Sequence, residues 1–540
     1  MFILQREIGD RQELIRGIYM ESASSLFLVM CKYKFSDGND CDEEPLEGAD
    51  FCILHIDFPD KSSPEYAMIN ELKIKKINDK ITKSDFNFEG AKIPESDFFK
   101  DKLLLRPIFN RATFEGDASF VEVNFKGGAS FEGANFKGDA SFEGANFDRF
   151  AGFNRVTFYG YARFNETTFD RDTWIKGAIF TKGASFVEAN FKGGASFEGA
   201  TFDRFAGFNG ATFDGNSKFN RATFDGNASF NGVFFHGNVR FNETTFDGDA
   251  SFNGVTFNRF GGFNGATFDG NSRFNRATFH GDANFEGVTF DGDARFNKTT
   301  FDGDAGFNGA TFKKDVSFTA ADRTKPTRFN NAIFNNANIQ RKICFDNCKI
   351  KNISFSGTDI SNDLDLSKST ITGDATFKKS KITGSFIFSP NTFEKYSSQE
   401  EAFRRAKRAC EEAGNKQRAD EYYFKEMVAK RKQKKNAVIR SLDWIFLEKF
   451  FCYGVKPLNT FIIWMAVIGI FAGFFWMLQA LPSPNPSGYI YFSIVNAMTP
   501  GYGGMYPNSG IPEIIASIEA LLGTFMWASF ISIFVRRFTR

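Results

Sequence analysis

Phe208-Asn-Gly-Ala-Thr-Phe213-Asp-Gly-Asn-Ser-Lys-Phe219-Asn-Arg-Ala-Thr-Phe224 sets the rhythm of most of this chain. The phenylalanines fall five, six and five places apart, and the alternation runs on through Phe230, Phe235, Phe241, Phe246, Phe252 and Phe257. A step that averages between five and six matches neither the period of a helix nor the strict alternation of a half-buried strand. It fits a coil that turns a corner after every step. At each step a small residue two places before the phenylalanine (Ala211, Ala222, Ala228) points inward with it. The Asp-Gly and Asn-Gly dipeptides between steps supply the corners, where positive φ is expected.

This pattern resembles the pentapeptide-repeat family in its Phe-rich variant, in which five- and six-residue steps alternate. The resemblance covers residues 84–390 and implies a β-solenoid, a right-handed quadrilateral β-helix. Four steps then make one coil, which places Phe230 one coil beyond Phe208. The frame survives substitution: Ile175 takes a phenylalanine slot, and later Leu366, Ile371, Phe377, Ile382 and Phe388 keep it. Asp148-Arg-Phe150, Asp203-Arg-Phe205 and Asn258-Arg-Phe260 recur at intervals of ten steps, which is two and a half such coils. Successive copies are therefore expected on opposite walls.

Composition narrows the function classes. The 540 residues include 73 Phe and 49 Gly, and 66 basic residues against 65 acidic ones leave a net charge of +1. A neutral chain is neither a DNA mimic nor a general nucleic-acid binder, so no nucleic-acid partner is expected. No nucleophile–base pair or phosphate-cradling loop stands out, and His236 and His280 are isolated at corners, so an enzyme is not expected. The repeated Asp-Gly-Asp triplets read as turns rather than calcium ligands. The solenoid is left as a sensing or docking element for a cytoplasmic partner that the sequence does not identify.

Residues 1–30 form an N-terminal extension with no readable role. Within 31–83, Cys31, Cys41, Cys52 and His55 follow the spacing C-x9-C-x10-C-x2-H. Three thiolates and one imidazole make a closed tetrahedral set, the donor chemistry of structural Zn2+. Four protein ligands leave no open position for substrate, so catalysis by such a metal is not expected.

After the solenoid, residues 391–457 change period. Ser398 to Gly414 reads as a helix with Ser398 and Glu401 as a capping box and Gly414 as its stop. A second helix follows over 415–435, completing an α-helical hairpin. Its end, Lys430-Arg-Lys-Gln-Lys-Lys435, is placed to meet anionic lipid headgroups, and the aromatic run from Leu442 to Phe451 is amphipathic enough to lie along an interface.

Residues 458–540 read as an all-α, two-transmembrane pore domain. The stretch Leu458–Leu481 carries no charge, and 514–535 carries only Glu519; each is long enough to cross a bilayer as a helix. Arg536, Arg537 and Arg540 follow, and no Lys or Arg lies between Pro457 and Val535. Basic flanks on both sides place both termini in the cytoplasm and the protein in the cell membrane. Between the spans, 487–498 suits a short re-entrant helix, and Thr499-Pro-Gly-Tyr-Gly503 follows it. Irregular backbone at that depth is tolerated where it lines a water-filled path.

The order of span, short helix, Thr-x-Gly-Tyr-Gly, span and arginine cluster resembles two-transmembrane potassium-channel pore domains. The resemblance implies a homotetramer in a lipid bilayer, passive conduction of K+, and a selectivity filter built from Thr499, Pro500, Gly501, Tyr502 and Gly503. It also implies a gating hinge at Gly523. Glu519 is an ionisable inner-helix residue, positioned to act on ions or to hydrogen-bond behind the filter. Two positions depart from the family: Pro500 stands where Val or Ile is usual, and Gly504 where Asp is usual. They keep open the alternative of a membrane-anchored interaction scaffold whose pore is non-selective or closed. No arginine-rich voltage-sensing helix is visible in the sequence.

Overall fold

The computed structural model describes residues 30–95, 97–320, 326–482, 485–499 and 504–539. Two compact units divide the chain, one running up to Phe186 with Asn190–Gly193, the other comprising Val187–Ala189 and everything from Gly194 onward.

The first unit opens with a small hairpin, β1 (Cys31–Lys34) and β2 (Asp40–Cys41), whose first and last residues, Cys31 and Cys41, pair in register. Helix α1 (Pro64–Thr82) follows, started by Ser63, whose hydroxyl accepts from the Glu65 amide, with Pro64 at the first turn. Ile69, Lys73 and Ile77 bury one face of it. This helix lies outside the expectations drawn from the sequence, although its Ser-Pro-Glu start and that buried spacing were legible there. Lys73 is fully buried. Its ammonium donates to the carbonyls of Ile53 (2.7 Å), Leu54 (3.3 Å) and Ile56 (2.7 Å), and burial brings it down to about 7.

Both units then build the same four-walled β-solenoid. Each wall contributes a two-residue strand, alternately of the Thr-Phe or Asn-Phe kind and of the Ala-Ser kind. Strands pair in parallel with the strand one coil on. In the first unit Ala140 pairs with Ala162, and in the second Ala228 pairs with Ala250, so each unit has the four-step coil expected from the sequence. Phenylalanine and alanine side chains fill the interior with essentially no exposure. Phe208 stacks on Phe230 and Phe230 on Phe252, at 4.7 and 4.8 Å with rings parallel to 1°. Those distances equal the strand spacing, so the backbone ladder itself sets the ring stack. Across the interior Phe219 meets Phe230 edge-on at 5.6 Å and 90°. Each such aromatic contact adds about 0.5–1.5 kcal/mol to the burial of the ring.

Corner glycines differ in kind. In the Phe-Asn-Gly-Ala steps the glycine does take positive φ, as at Gly210 (69°). The same corner also accepts Arg276 (59°) and Glu243 (56°), at a cost of about 1–2 kcal/mol for the left-handed conformation. The Asp-Gly glycines were expected to need positive φ, and those that stack do not. A Cβ on Gly248 would sit 2.6 Å from the Gly226 carbonyl carbon one coil below, and one on Gly270 2.5 Å from that of Gly248. Close stacking of backbone on backbone, not turn geometry, demands glycine there. Asparagines tie the coils externally: Asn209 Oδ1 accepts from the Ser229 hydroxyl (2.6 Å) and the Asn231 amide (3.0 Å), and Asn231 repeats this one coil on.

The second unit interrupts its own rhythm after Ala320. Phe312 pairs with Ile339, so this coil is longer than its neighbours, and the pairing of Asn331 with Asn352 makes the next one shorter. The last coil ends on the strand Phe386–Ile387, where Phe386 rather than Phe388 is buried. Phe388 instead packs against Phe403 and Tyr422 of the helical hairpin. That hairpin is α2 (Tyr396–Glu412) and α3 (Lys416–Lys432), joined through Gly414 at φ 72°. The expected capping box is absent, because α2 begins two residues earlier. Ser398 and Glu401 are used on the solenoid: Ser398 Oγ accepts from the Ala375 amide, and Glu401 Oε1 accepts from the Phe377 amide and the Thr376 hydroxyl.

Beyond it come α4 (Ala437–Asp443), a π-helical turn over Trp444–Phe450, and three apolar helices: α5 (Pro457–Met477), α6 (Pro486–Met498) and α7 (Ile511–Thr539). Helices α5 and α7 are long and apolar enough to cross a membrane. Most of their surface faces outward, including Leu458, Ile462, Ile514, Leu521 and Phe525. Side chains of this kind on a two-helix frame need lipid or further protein around them.

Candidate functional site

At the N-terminus Cys31, Cys41, Cys52 and His55 are all buried, and their ligand atoms lie within 4.8 Å of one another. His55 Nδ1 is 3.5 Å from Cys31 Sγ and 3.2 Å from Cys52 Sγ. Tetrahedral metal–sulfur and metal–nitrogen bonds of about 2.3 and 2.0 Å would hold such atoms roughly 3.5 Å apart. The other ring nitrogen is spent, because Nε2 donates to the Glu89 carbonyl at 2.9 Å, which leaves Nδ1 free to ligate. Tyr33 stacks on the imidazole at 4.0 Å, and the Cys52 amide donates to Cys31 Sγ. Burial lowers His55 and pushes the Cys41 thiol up to about 12, so it disfavours the charged form of each. A bound metal would displace the thiol protons. The cluster is also tied to the solenoid, through Glu89 and through Lys92, whose amide donates to the Leu54 carbonyl.

The second candidate region is helical. Helix α6 lies between the two spanning helices and touches both. Phe492 and Tyr489 pack with Phe475, Leu481 and Ala516, and Ala497 packs with Trp464, Ile468 and Met526. Glu519, on α7, is fully buried here. Its Oε1 accepts from the Ser493 hydroxyl and its Oε2 from Asn496 Nδ2 (2.8 Å), both on α6. Asn496 Nδ2 also reaches the Ala516 carbonyl (2.9 Å), and Ser493 Oγ lies 2.8 Å from the Ile468 carbonyl on α5. Ser493 and Glu519 thus pin all three helices together. The sequence marked Glu519 by its charge but carried no sign of its partners.

Gly523 lies inside the unbroken run of α7. A Cβ there would meet the Ala497 carbonyl oxygen at 2.3 Å, so α6 and α7 touch backbone to backbone. Helix α6 ends at Thr499, whose amide bonds back to the Val495 carbonyl. The C-terminal end of a helix carries partial negative charge, which favours a cation beside it. Pro500, Gly501, Tyr502 and Gly503 lie outside the described residues. Gly504 follows, exposed, at φ 66°. From there Asn508 returns to the end of α5, its amide donating to the Ala480 carbonyl at 2.8 Å.

The basic run that ends α3 and continues beyond it is partly neutralised. Arg431 pairs with Glu448 (2.8 Å) and Lys434 with Asp443 (2.5 Å), binding the hairpin to the interfacial segment. Val438, Leu442, Ile445 and Phe446 on that segment are exposed.

Comparison with known families locates these regions independently. A family model described as pentapeptide repeats matches overlapping segments spanning 109–322 and again 334–381. A second, described as an ion channel, matches 462–540 and takes in α6 and α7 and most of α5. Neither is an enzyme family. No curated protein and no solved structure matches the chain.

Proposed function

Because this chain is a pentapeptide-repeat solenoid joined to an ion-channel domain with two membrane spans, we propose that it is a potassium-selective channel. Four copies surround one pore. The supporting observation is the placement of α6, a short helix held between two spans by Ser493, Asn496 and Glu519, with its C-terminal end at Thr499. In this reading Thr499, Pro500, Gly501 and Tyr502 turn carbonyl oxygens toward the axis, where they replace the water around a dehydrating K+. Gly503 permits the exit of the chain. Pro500 keeps its carbonyl and gives up an N–H, so the filter relies less on hydrogen bonds behind it. Glu519 stabilises the filter from behind, through α6. Gly523 sets how closely α7 approaches α6 and is where the inner helix bends during gating.

Both termini lie in the cytoplasm, with the solenoid as the sensing or docking arm and the hairpin as the link to the pore. Lys430, Lys432 and Lys435 remain to meet anionic lipid, since Arg431 and Lys434 hold carboxylates. Cys31, Cys41, Cys52 and His55 hold a structural Zn2+ that secures the entry to the first coil.

Potassium flux into liposomes tests this reading. Wild type should carry K+ uptake that Gly501→Ala abolishes while the oligomer stays intact. Equal flux from the two proteins would remove the filter from the account. No flux from an intact wild-type oligomer would favour the scaffold reading instead.

A further inference from the structure

The lysines around Cys31, Cys41, Cys52 and His55 are of two kinds. Lys32, Lys34, Lys76 and Lys92 each hold a carboxylate, those of Asp50, Asp40, Glu43 and Asp57, and all four pairs are open to solvent. Lys73, on α1, is fully buried and holds the carbonyls of Ile53, Leu54 and Ile56 instead. Carbonyls satisfy its three donors but not its charge, and a buried charge is costly unless an opposite one compensates it.

Those carbonyls belong to the turn that carries Cys52 and His55. The turn closes through the amides of His55 and Ile56, which both bond the Cys52 carbonyl at 3.0 Å. The peptide units from Ile53 to Leu54 and from Leu54 to His55 present their carbonyl oxygens to the Lys73 ammonium and their amides to Cys52. A peptide unit whose carbonyl is already bound to a cation donates more strongly at its amide end. Burial pushes the Cys52 thiol up, and these two amides work against it. Burial also disfavours the charged form of Lys73, and among the neighbouring charges Cys52 does most to favour it. Three thiolates and a neutral imidazole around Zn2+ leave one negative charge, which in a buried site needs a positive partner.

We infer that Lys73 is that partner, a positioning residue whose ammonium neutralises the three-thiolate centre and aims the Leu54 and His55 amides at the Cys52 sulfur. The inference rests on the Zn2+ reading of the cluster. Lys73 contributes no ligand and acts through the turn, as the outer groups of metal centres do.

The test is metal binding by the full-length protein in detergent, stripped of metal and reloaded. Wild type should take up Zn2+ that Cys31→Ser does not retain. In chelator competition Lys73→Gln, which keeps a donor for the carbonyls but not the charge, should bind Zn2+ about 10–100-fold more weakly. With Co2+ in place of Zn2+, the sulfur-to-metal charge-transfer band should move to longer wavelength in Lys73→Gln, because the thiolates lose the positive charge that lowers their donor levels. A purely structural role would not move that band. Exchange protection of α1 reports whether the variant is folded, and Lys73→Met serves for both readouts where it is not. Unchanged affinity, or weaker binding with an unmoved band, overturns the inference and leaves the Zn2+ reading intact. No metal uptake by wild type overturns both.

Discussion

Remove Phe230 from its column and Phe252 still stacks on Phe274, while Phe208 keeps its edge-on contacts with Phe197, Phe202 and Phe219. Remove Glu519 and, among the described residues, no other group accepts from both Ser493 and Asn496. The solenoid spreads its stability over many near-identical contacts between adjacent coils, as one-dimensional repeats do. The pore region rests on a few unrepeated ones. A repeat tolerates drift, as Ile175 and Leu366 show by filling phenylalanine slots without exposure. A single buried carboxylate between helices does not.

The contrast can be broken first at the cluster of Cys31, Cys41, Cys52 and His55, which is also unrepeated. Structural zinc contributes roughly 10–16 kcal/mol in small metal-dependent folds. A strong zinc chelator, or Cys41→Ser, should abolish exchange protection across β1, β2 and α1 while leaving α5 to α7 unchanged. Protection that survives verified metal removal would mean that the cap is held by Lys73 and its three carbonyls instead.

Next comes Phe230→Ala, expected to cost about 3–5 kcal/mol. The loss should appear in exchange of the coils holding Phe208 and Phe252 and fade beyond them. Uniform loss along the second unit would show that its solenoid unfolds as one block. Glu519→Ala removes the acceptor that Ser493 and Asn496 share, leaving them only the Ile468 and Ala516 carbonyls, at about 1–3 kcal/mol. That is less than the phenylalanine loss, yet it should silence K+ flux, whereas Phe230→Ala should leave flux intact. Preserved flux in Glu519→Ala would strip the carboxylate of its proposed role. The smallest effect is a gain: Arg276→Gly relieves a left-handed corner and should stabilise the second unit by roughly 0.5–1 kcal/mol in thermal unfolding.

The same contrast explains what was legible in the sequence. The solenoid is written many times over, so the five–six spacing of phenylalanine gave its period and its core, and the resemblance to pentapeptide repeats implied the four-step coil. What the repeat could not convey was the reason for each glycine. Gly210 and Gly248 both follow a polar residue at a corner, yet one serves φ and the other serves the backbone beneath it. Unique contacts were harder still. Ser398 and Glu401 have capping-box spacing, but their acceptors meet amides and a hydroxyl of the last coil, a full coil back along the chain. In the same way Glu519 announced a function through its charge, while its partners on α6 became visible only once the helices were packed.

Reversal potential under opposed K+ and Na+ gradients, with purified protein in planar bilayers, tests the central claim most directly. The account predicts a potential that follows the K+ gradient, and loss of current in Gly501→Ala. A current that follows neither gradient preferentially would contradict it, and would place the cause at Pro500 and Gly504, where this chain departs from the potassium-channel pattern.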